Sequence, residues 1–195
     1  MRKEDRVLSI GTHEMFSDGS EYLLAGAQFC GEKEVLGTRY QAYLAEEEVG
    51  KSSTYRELRA VEEGLRVRGH GFRGHLVRWG CDNWAAANII RLGSMKPDCH
   101  EVARRNSQLA KSLDVQLEPF YLRRNSVQIQ ICDDISKDFD KSDYKLSSED
   151  FSQLYQDFGP FSADFLSSSF SHQFSPFYAK LACSQAAGTY AFSVS

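Results

Sequence analysis

From residue 7 to residue 45, three short runs are strand-like in their mix of apolar and polar positions, RVLSIGTHEMF, EYLLAGAQFC and EVLGTRYQAYLA. The turn-forming segments SDGS and CGEKE separate them, so the pattern predicts three antiparallel strands in a meander. The polar run EEEVGKSS ends that pattern, and the period then changes. In TYRELRAVEEGLRVRG, Leu58, Val61 and Leu65 recur at helical spacing, with Gly69 as a natural stop. GFRGHLVRWGC reads as a fourth strand, and DNWAAANIIRLG as a helix ending at Gly93. PDCHEVARRNSQLAKSLD reads as a longer helix with Asp98 at its N-cap and Val102, Leu109 and Leu113 on one face. VQLEPFYL predicts a fifth strand. After the polar turn RRNS, VQIQICDDISKDF predicts a last helix. This order describes a mixed α/β domain over residues 1–140.

Residues 141–195 have a different texture. They are rich in Ser and Phe (FGPFSADFLSSSFSHQFSPFY) and poor in Lys and Arg, and nine of the thirteen Phe residues lie between 139 and 192. A disordered segment rarely holds so many aromatics, so this C-terminal extension is expected to dock on the domain or pair with a neighbour, in part or whole.

Composition narrows the class. With 42% hydrophobic residues in 195 the chain can bury a core. No apolar run approaches the roughly 18 residues of a membrane span, and the N-terminus lacks a secretory core, so a soluble protein without a membrane partner is expected. Five dispersed cysteines, with no CxxC pair, fit a reducing intracellular site, cytoplasmic or nuclear. The net charge of −4 is unevenly spread: residues 51–130 carry 14 Lys/Arg against 8 Asp/Glu, the remainder 9 against 19. A basic middle suits a surface that faces nucleic acid, and equally a set of solvated helix faces. There is no internal repeat, glycine-rich phosphate loop or GxSxG elbow.

Four acids stand where strand ends and helix starts can converge. Asp18 ends the first strand, Glu57 lies in the first turn of the first helix, Asp82 ends the fourth strand, and Asp133, beside Asp134, starts the last helix. Carboxylates gathered this way repel one another and persist mainly where they bind divalent cations. Two magnesium ions about 3.5–4 Å apart there would suit phosphodiester hydrolysis. Each acid also has a plain structural reading. Asp18 fits a hairpin turn, and Glu57 completes a T-x-x-E capping box with Thr54. Asp82 fits an N-cap, and Asp133 and Asp134 fit helix N-terminal charges.

Taken in order, these motifs resemble the ribonuclease H-like domain of a retroelement reverse transcriptase, of the DIRS-like, tyrosine-recombinase type. SDGS followed by LLAGA is similar to that family's first-strand motif, and SSTYRELRAVEEGL to its Arg-Glu-Leu helix. CDNWAAANII resembles its strand-end Asp-Asn, and CDDISK its Ala-Asp-x-Leu-Ser-Arg box, which selects Asp133 over Asp134. FGPFSADFLSSSFSHQFSPFYAK resembles the segment that follows the domain in such polyproteins. The resemblance implies a ribonuclease H-like α/β fold, with a mixed five-stranded sheet (three antiparallel strands, then two parallel) flanked by helices. It also implies hydrolysis of the RNA strand of an RNA–DNA hybrid with Asp18, Glu57, Asp82 and Asp133 as catalytic carboxylates. These would hold two magnesium ions, with manganese as an alternative, and a reverse transcriptase polymerase domain is a further partner.

Basic residues would meet phosphates. Arg56, Arg78, Arg123 and Arg124 are the main candidates, ahead of Arg91, Arg104 and Arg105, and the pair in YLRRNS stands nearest the last acid. The sequence departs from the family in having no histidine between residues 121 and 132, and in carrying Ser171 for Asn and Tyr190 for Asp in the tail. The alternative reading is a catalytically inactive scaffold of the same fold that binds nucleic acid or a protein partner; another nuclease or an integrase on this fold is a third. His70 and His75 are expected in a flexible glycine-rich turn, Cys99 and His100 lack partner ligands, and Trp79 and Trp84 are expected in the core.

Overall fold

The computed structural model describes residues 12–138, 145–165 and 167–189. Residues 7–11 of the expected first strand, the expected boundary at 140 and Tyr190 lie outside them. The first strand, β1 (Thr12–Gly19), runs antiparallel to β2 (Leu23–Cys30). The third expected strand is split into β3 (Lys33–Glu34) and β4 (Tyr40–Tyr43), both antiparallel to β2. The split falls at Gly37, whose φ of 73° no extended run can accommodate. After α1 (Ser53–Arg68) comes β5 (Leu76–Cys81), parallel to β1. The helices α2 (Trp84–Leu92) and α3 (Pro97–Ser112) lead to β6 (Gln116–Tyr121), parallel to β5, and then to α4 (Val127–Lys137). The main path of the sheet is β3-β2-β1-β5-β6, with β4 also on β2, so it has six strands rather than five.

Helices cover both faces, which is why β1 is buried from Met15 to Gly19 without alternation. Met15, Val77 and Trp79 face α1 and α3, packing with Tyr40, Val61, Leu65 and Ala110. Phe16, Phe29 and the partly buried Phe120 face α4, against Ile129 and Cys132. Gly64 lets α1 approach closely: a Cβ there would stand 2.6 Å from the Trp79 ring. Trp79 is therefore a core residue as expected, but Trp84 is not. It opens α2 at 69% exposure, because the inward face of that helix is taken by Ala86 and Ala87.

Several capping expectations change. The N-cap of α3 is Lys96 with Pro97 first in the helix, and Asp98 Oδ1 accepts the Cys99 amide inside the first turn. His70 lies in a short 3₁₀ turn, Gly69–Phe72, and His75 Nδ1 is 3.3 Å from His13 Nε2.

The extension adds α5 (Ser148–Phe158) and a small parallel sheet of β7 (Asp164–Phe165), β8 (Phe177–Ala179) and β9 (Gly188–Thr189). Phe177, Ala179 and Cys183 pack on Ala42, and the Gln41 amide donates to the Ala182 carbonyl at 3.0 Å. Ser184 donates through its amide and hydroxyl to the buried Glu63, at 2.6 and 2.8 Å. These contacts set the segment around β8 against β4 and α1. By contrast no residue of α5 is buried.

Candidate metal centre

Register brings two of the acids together. β1 and β5 are parallel and Phe16 pairs with Gly80, so two steps further along Asp18 arrives beside Asp82 at the carboxyl edge of the sheet. Asp18 is within β1 and 6% exposed, which replaces the hairpin-turn reading. Asp82 follows β5 directly. The residue that caps α2 is Asn83, whose side chain accepts the Ala86 amide at 3.0 Å. Asn83 also donates to Thr54 Oγ1 at 3.2 Å. The cap is thus supplied one residue later, and the Asp82 carboxylate is left to the cavity.

Glu57 arrives from the other face of the sheet. The N-cap of α1 is Ser52, whose hydroxyl accepts the Tyr55 amide at 3.2 Å, so the Thr54–Glu57 capping box does not form. Glu57 lies one residue past the first turn and is 3% exposed. Its Oε1 accepts the Gly19 amide at 3.3 Å, and its Oε2 is buried without a hydrogen-bond partner. One carboxylate oxygen from each of Asp18, Glu57 and Asp82 lies within 4.8 Å of the other two.

Asp133 is the seventh residue of α4 rather than its start, because the turn after β6 ends at Ser126 and the helix begins at Val127. It lines the same cavity of about 440 Å³ as Asp18, Glu57 and Asp82. Its carboxylate, however, pairs with Lys137 Nζ at 2.6 Å and with Arg124 at 3.5 Å. Asp134, one position on, is exposed and lines a different cavity.

Electrostatics mark the cluster. Burial, followed by the neighbouring charges of Asp18 and Asp82, pushes the Glu57 carboxyl well above the usual carboxylate range. Asp18 is raised by burial, with Asp133 and Asp82 adding to the shift and the Ser136 hydrogen bond opposing it. Three acids that crowd one another, one with an orphaned buried oxygen, are a donor set a hard divalent cation satisfies. Burial also pushes the Cys81 thiol up to about 12 and Cys132 higher still, so neither offers a thiolate. A larger cavity, about 730 Å³, is lined by Glu62, Glu63, Arg59, Arg66 and Arg105. There Glu62 is paired with all three arginines and Glu63 with Ser184, so the carboxylates are already satisfied.

The arginine candidates separate. Arg124 is 73% exposed at the cavity rim and stands 3.6 Å from Asp82. Arg123 is exposed in the same turn. Arg56 lines the cavity, but its guanidinium donates to the carbonyls of Gly19 and Lys51. Arg78 does not line it: it pairs with Glu14 at 2.9 Å and lies over the Phe120 ring. Arg104 and Arg105 pair with Glu101 and Glu62, and Arg91 lines a separate cavity. The residues that position the acids, Gly19, Asn83 and Ser136, lie inside the motifs SDGS, CDNWAAANII and CDDISK but have no assigned role there. Ser136 and Lys137 carried a readable signal, since they stand three and four residues after Asp133 on one helix.

No protein-family model matches the sequence, and no curated protein matches it. Solved structures do match in shape. Ribonuclease H1 of the halophilic archaeon Halobacterium salinarum NRC-1 superposes with a TM-score of 0.52 at 12% identity, over 65% of this chain and 95% of that one. The N-terminal ribonuclease H domain of Rv2228c from Mycobacterium tuberculosis gives a TM-score of 0.53 at 12% identity, over 65% and 91%. LC11 ribonuclease H1, an enzyme isolated from compost and solved with an RNA/DNA hybrid, gives 0.50 at 13% identity, over 63% and 92%. At these identities the likeness establishes the fold: the chain carries a ribonuclease H-like domain.

Proposed function

We propose that this chain is a metal-dependent endonuclease that hydrolyses the RNA strand of RNA–DNA hybrids, a ribonuclease H domain of retroelement origin. The observation that carries the reading is the convergence of Asp18, Glu57 and Asp82 within 4.8 Å, with Glu57 Oε2 buried and unpartnered. Asp133, on the wall of the same cavity, is proposed as the fourth ligand. Magnesium bound there, or manganese in its place, supplies activation of the attacking water and neutralisation of charge at the scissile phosphate. The chain's own residues do the rest. Asp18 and Asp82 fix the position along the sheet edge, and Glu57 closes the site from α1.

Arg124 is exposed enough to leave its carboxylate partners for a substrate phosphate, and Arg123 stands beside it. A hybrid would be read by groove shape, 2′-hydroxyls and phosphates rather than by base sequence. The complex of LC11 ribonuclease H1 with an RNA/DNA hybrid supports that substrate class by analogy of fold. We further propose residues 1–140 as the catalytic domain and 141–195 as an extension docked partly on it. A polymerase domain of the same element would be its working partner. The site of action would be cytoplasmic or nuclear; among the described residues no helix is long and apolar enough to cross a membrane.

The ion pairs of Asp133 with Lys137 and Arg124 favour a second reading, an inactive scaffold in which basic side chains have taken over the fourth acid. Cleavage of a labelled hybrid in magnesium, by the native chain and by Asp82→Asn, separates the two. Metal-dependent cutting that disappears in the variant is expected. No metal-dependent cutting, or equal cutting by both proteins, leaves the scaffold.

A further inference from the structure

We infer that Ser136 is a positioning residue of the metal centre, holding the Asp18 carboxylate in place from the helix that carries Asp133. The inference rests on the metal-dependent reading of the site given above. Ser136 is 1% exposed, and its hydroxyl lies 2.5 Å from Asp18 Oδ2.

The bland role for a helical serine is to bond the carbonyl one turn back, and Asp133 O is indeed 2.9 Å from the same hydroxyl. A hydroxyl has one proton to give. The contact to Asp18 is the shorter of the two and ends on a carboxylate, and hydrogen bonds to charged acceptors are shorter and roughly twice as strong as neutral ones. The proton therefore goes to Asp18, and the helix carbonyl is left to its backbone partner.

Geometry gives that bond its consequence. Along β1 the residues alternate between faces: Met15 and Ser17 point toward α1, where Ser17 accepts the Trp79 indole at 2.9 Å. Phe16 and Asp18 point toward α4. Asp18 is thus on the α4 side of the sheet, whereas Glu57 approaches from α1. Ser136 ties Asp18 Oδ2 to α4.

The helix itself is pinned nearby. The Ser20 hydroxyl donates to the Ser136 carbonyl at 2.7 Å, and the Gln41 amide group to the Ile135 carbonyl at 2.7 Å. Asp18 and Asp133 are consequently held in register through one residue, although 115 positions of chain separate them. Without the hydroxyl, Asp18 Oδ2 loses the donor that faces it among like charges.

The test is titration of the purified chain with magnesium and with manganese by calorimetry, for the native protein and for Ser136→Ala, Ser136→Cys and Ser136→Thr. Supporting groups that orient a metal ligand typically contribute 10–100-fold in affinity, so Ser136→Ala is expected to weaken metal binding by roughly that factor. Ser136→Cys, similar in size but a poor donor, is expected to fall with it, and Ser136→Thr to recover most of the affinity.

Melting in EDTA monitors the fold separately, and Ser136→Cys against Ser136→Thr decides the matter if Ser136→Ala does not fold. Native affinity in the alanine or cysteine variant overturns the inference even if the native chain cuts hybrids. A native chain that binds metal tightly but cuts no hybrid overturns the nuclease reading and leaves Ser136 to the titration. A native chain that binds no metal overturns both.

Discussion

The Gly19 amide donates to Glu57 Oε1 across 3.3 Å, joining the end of β1 to the second turn of α1. This contact closes the acidic cluster from its second face, and it is short of space. A Cβ on Gly19 would stand 2.5 Å from the Arg56 carbonyl carbon and 2.6 Å from its oxygen. Gly19→Ala therefore has to push α1 off the strand end. Overpacking of this kind typically destabilises by about 1–3 kcal/mol. Urea denaturation should show that loss, and magnesium titration should show weakened binding, because Glu57 retreats with the helix. Native stability and affinity in the variant would contradict the close approach.

Glu57→Gln makes the opposite trade. The carboxyl is buried beside Asp18 and Asp82, and burial with that repulsion raises it well above the ordinary carboxylate range. Replacing it by a neutral isostere removes the repulsion that ionisation brings, so above the raised native value the variant should melt higher in EDTA while losing metal binding. Scanning calorimetry with and without magnesium reads both outcomes. A lower melting temperature in EDTA would show that the carboxylate stabilises the metal-free fold.

The same shifts fix the sign of the pH dependence. Glu57 and Asp18 are raised in the folded state, so the native protein holds more protons than the unfolded chain across the interval between the two sets of values. The part of the stability in EDTA that these two groups control should be full below the ordinary carboxylate range and fall as pH rises through the raised native values. Added magnesium should stabilise more as pH rises, since the ligands must be deprotonated to bind it. Melting curves at a series of pH values test this, and a metal effect that shrinks as pH rises would refute it.

Arg124 stands 3.6 Å from Asp82 and 3.5 Å from Asp133 and is 73% exposed. Its charge competes weakly with an incoming cation, because exposed pairs are worth roughly 0.2–1 kcal/mol. Arg124→Ala should tighten magnesium binding by no more than about fivefold. It should also raise KM for a hybrid with less effect on kcat, as expected for a residue that moves to a phosphate. A fall in kcat at unchanged KM would place Arg124 in the chemical step instead.

How much of this was legible along the chain depended on the range of the interaction. The apolar run in EYLLAGAQFC, set between turn signals, and the 3.6-residue recurrence of Leu58, Val61 and Leu65 predict β2 and α1, because both signals are local. The same reasoning misplaced Trp84, since a local pattern cannot say that Ala86 and Ala87 already fill the inward face of α2. It also offered a capping box for Glu57 and an N-cap for Asp82. Ser52 and Asn83, neighbours with the same chemistry, perform those roles.

The sequence by itself determined the order of helices and strands in the main domain and the supply of acids along them, because both follow from contacts a few residues apart. Only the tertiary structure decided which acids are released from local bonding and brought together. Parallel pairing of β1 with β5 sets Asp18 beside Asp82, and the Gly19 approach admits Glu57. The Ser136 hydroxyl reaches Asp18 from 118 residues away. Hydrogen bonds and like-charge repulsion act through space, and their partners exist only once the sheet edge has formed.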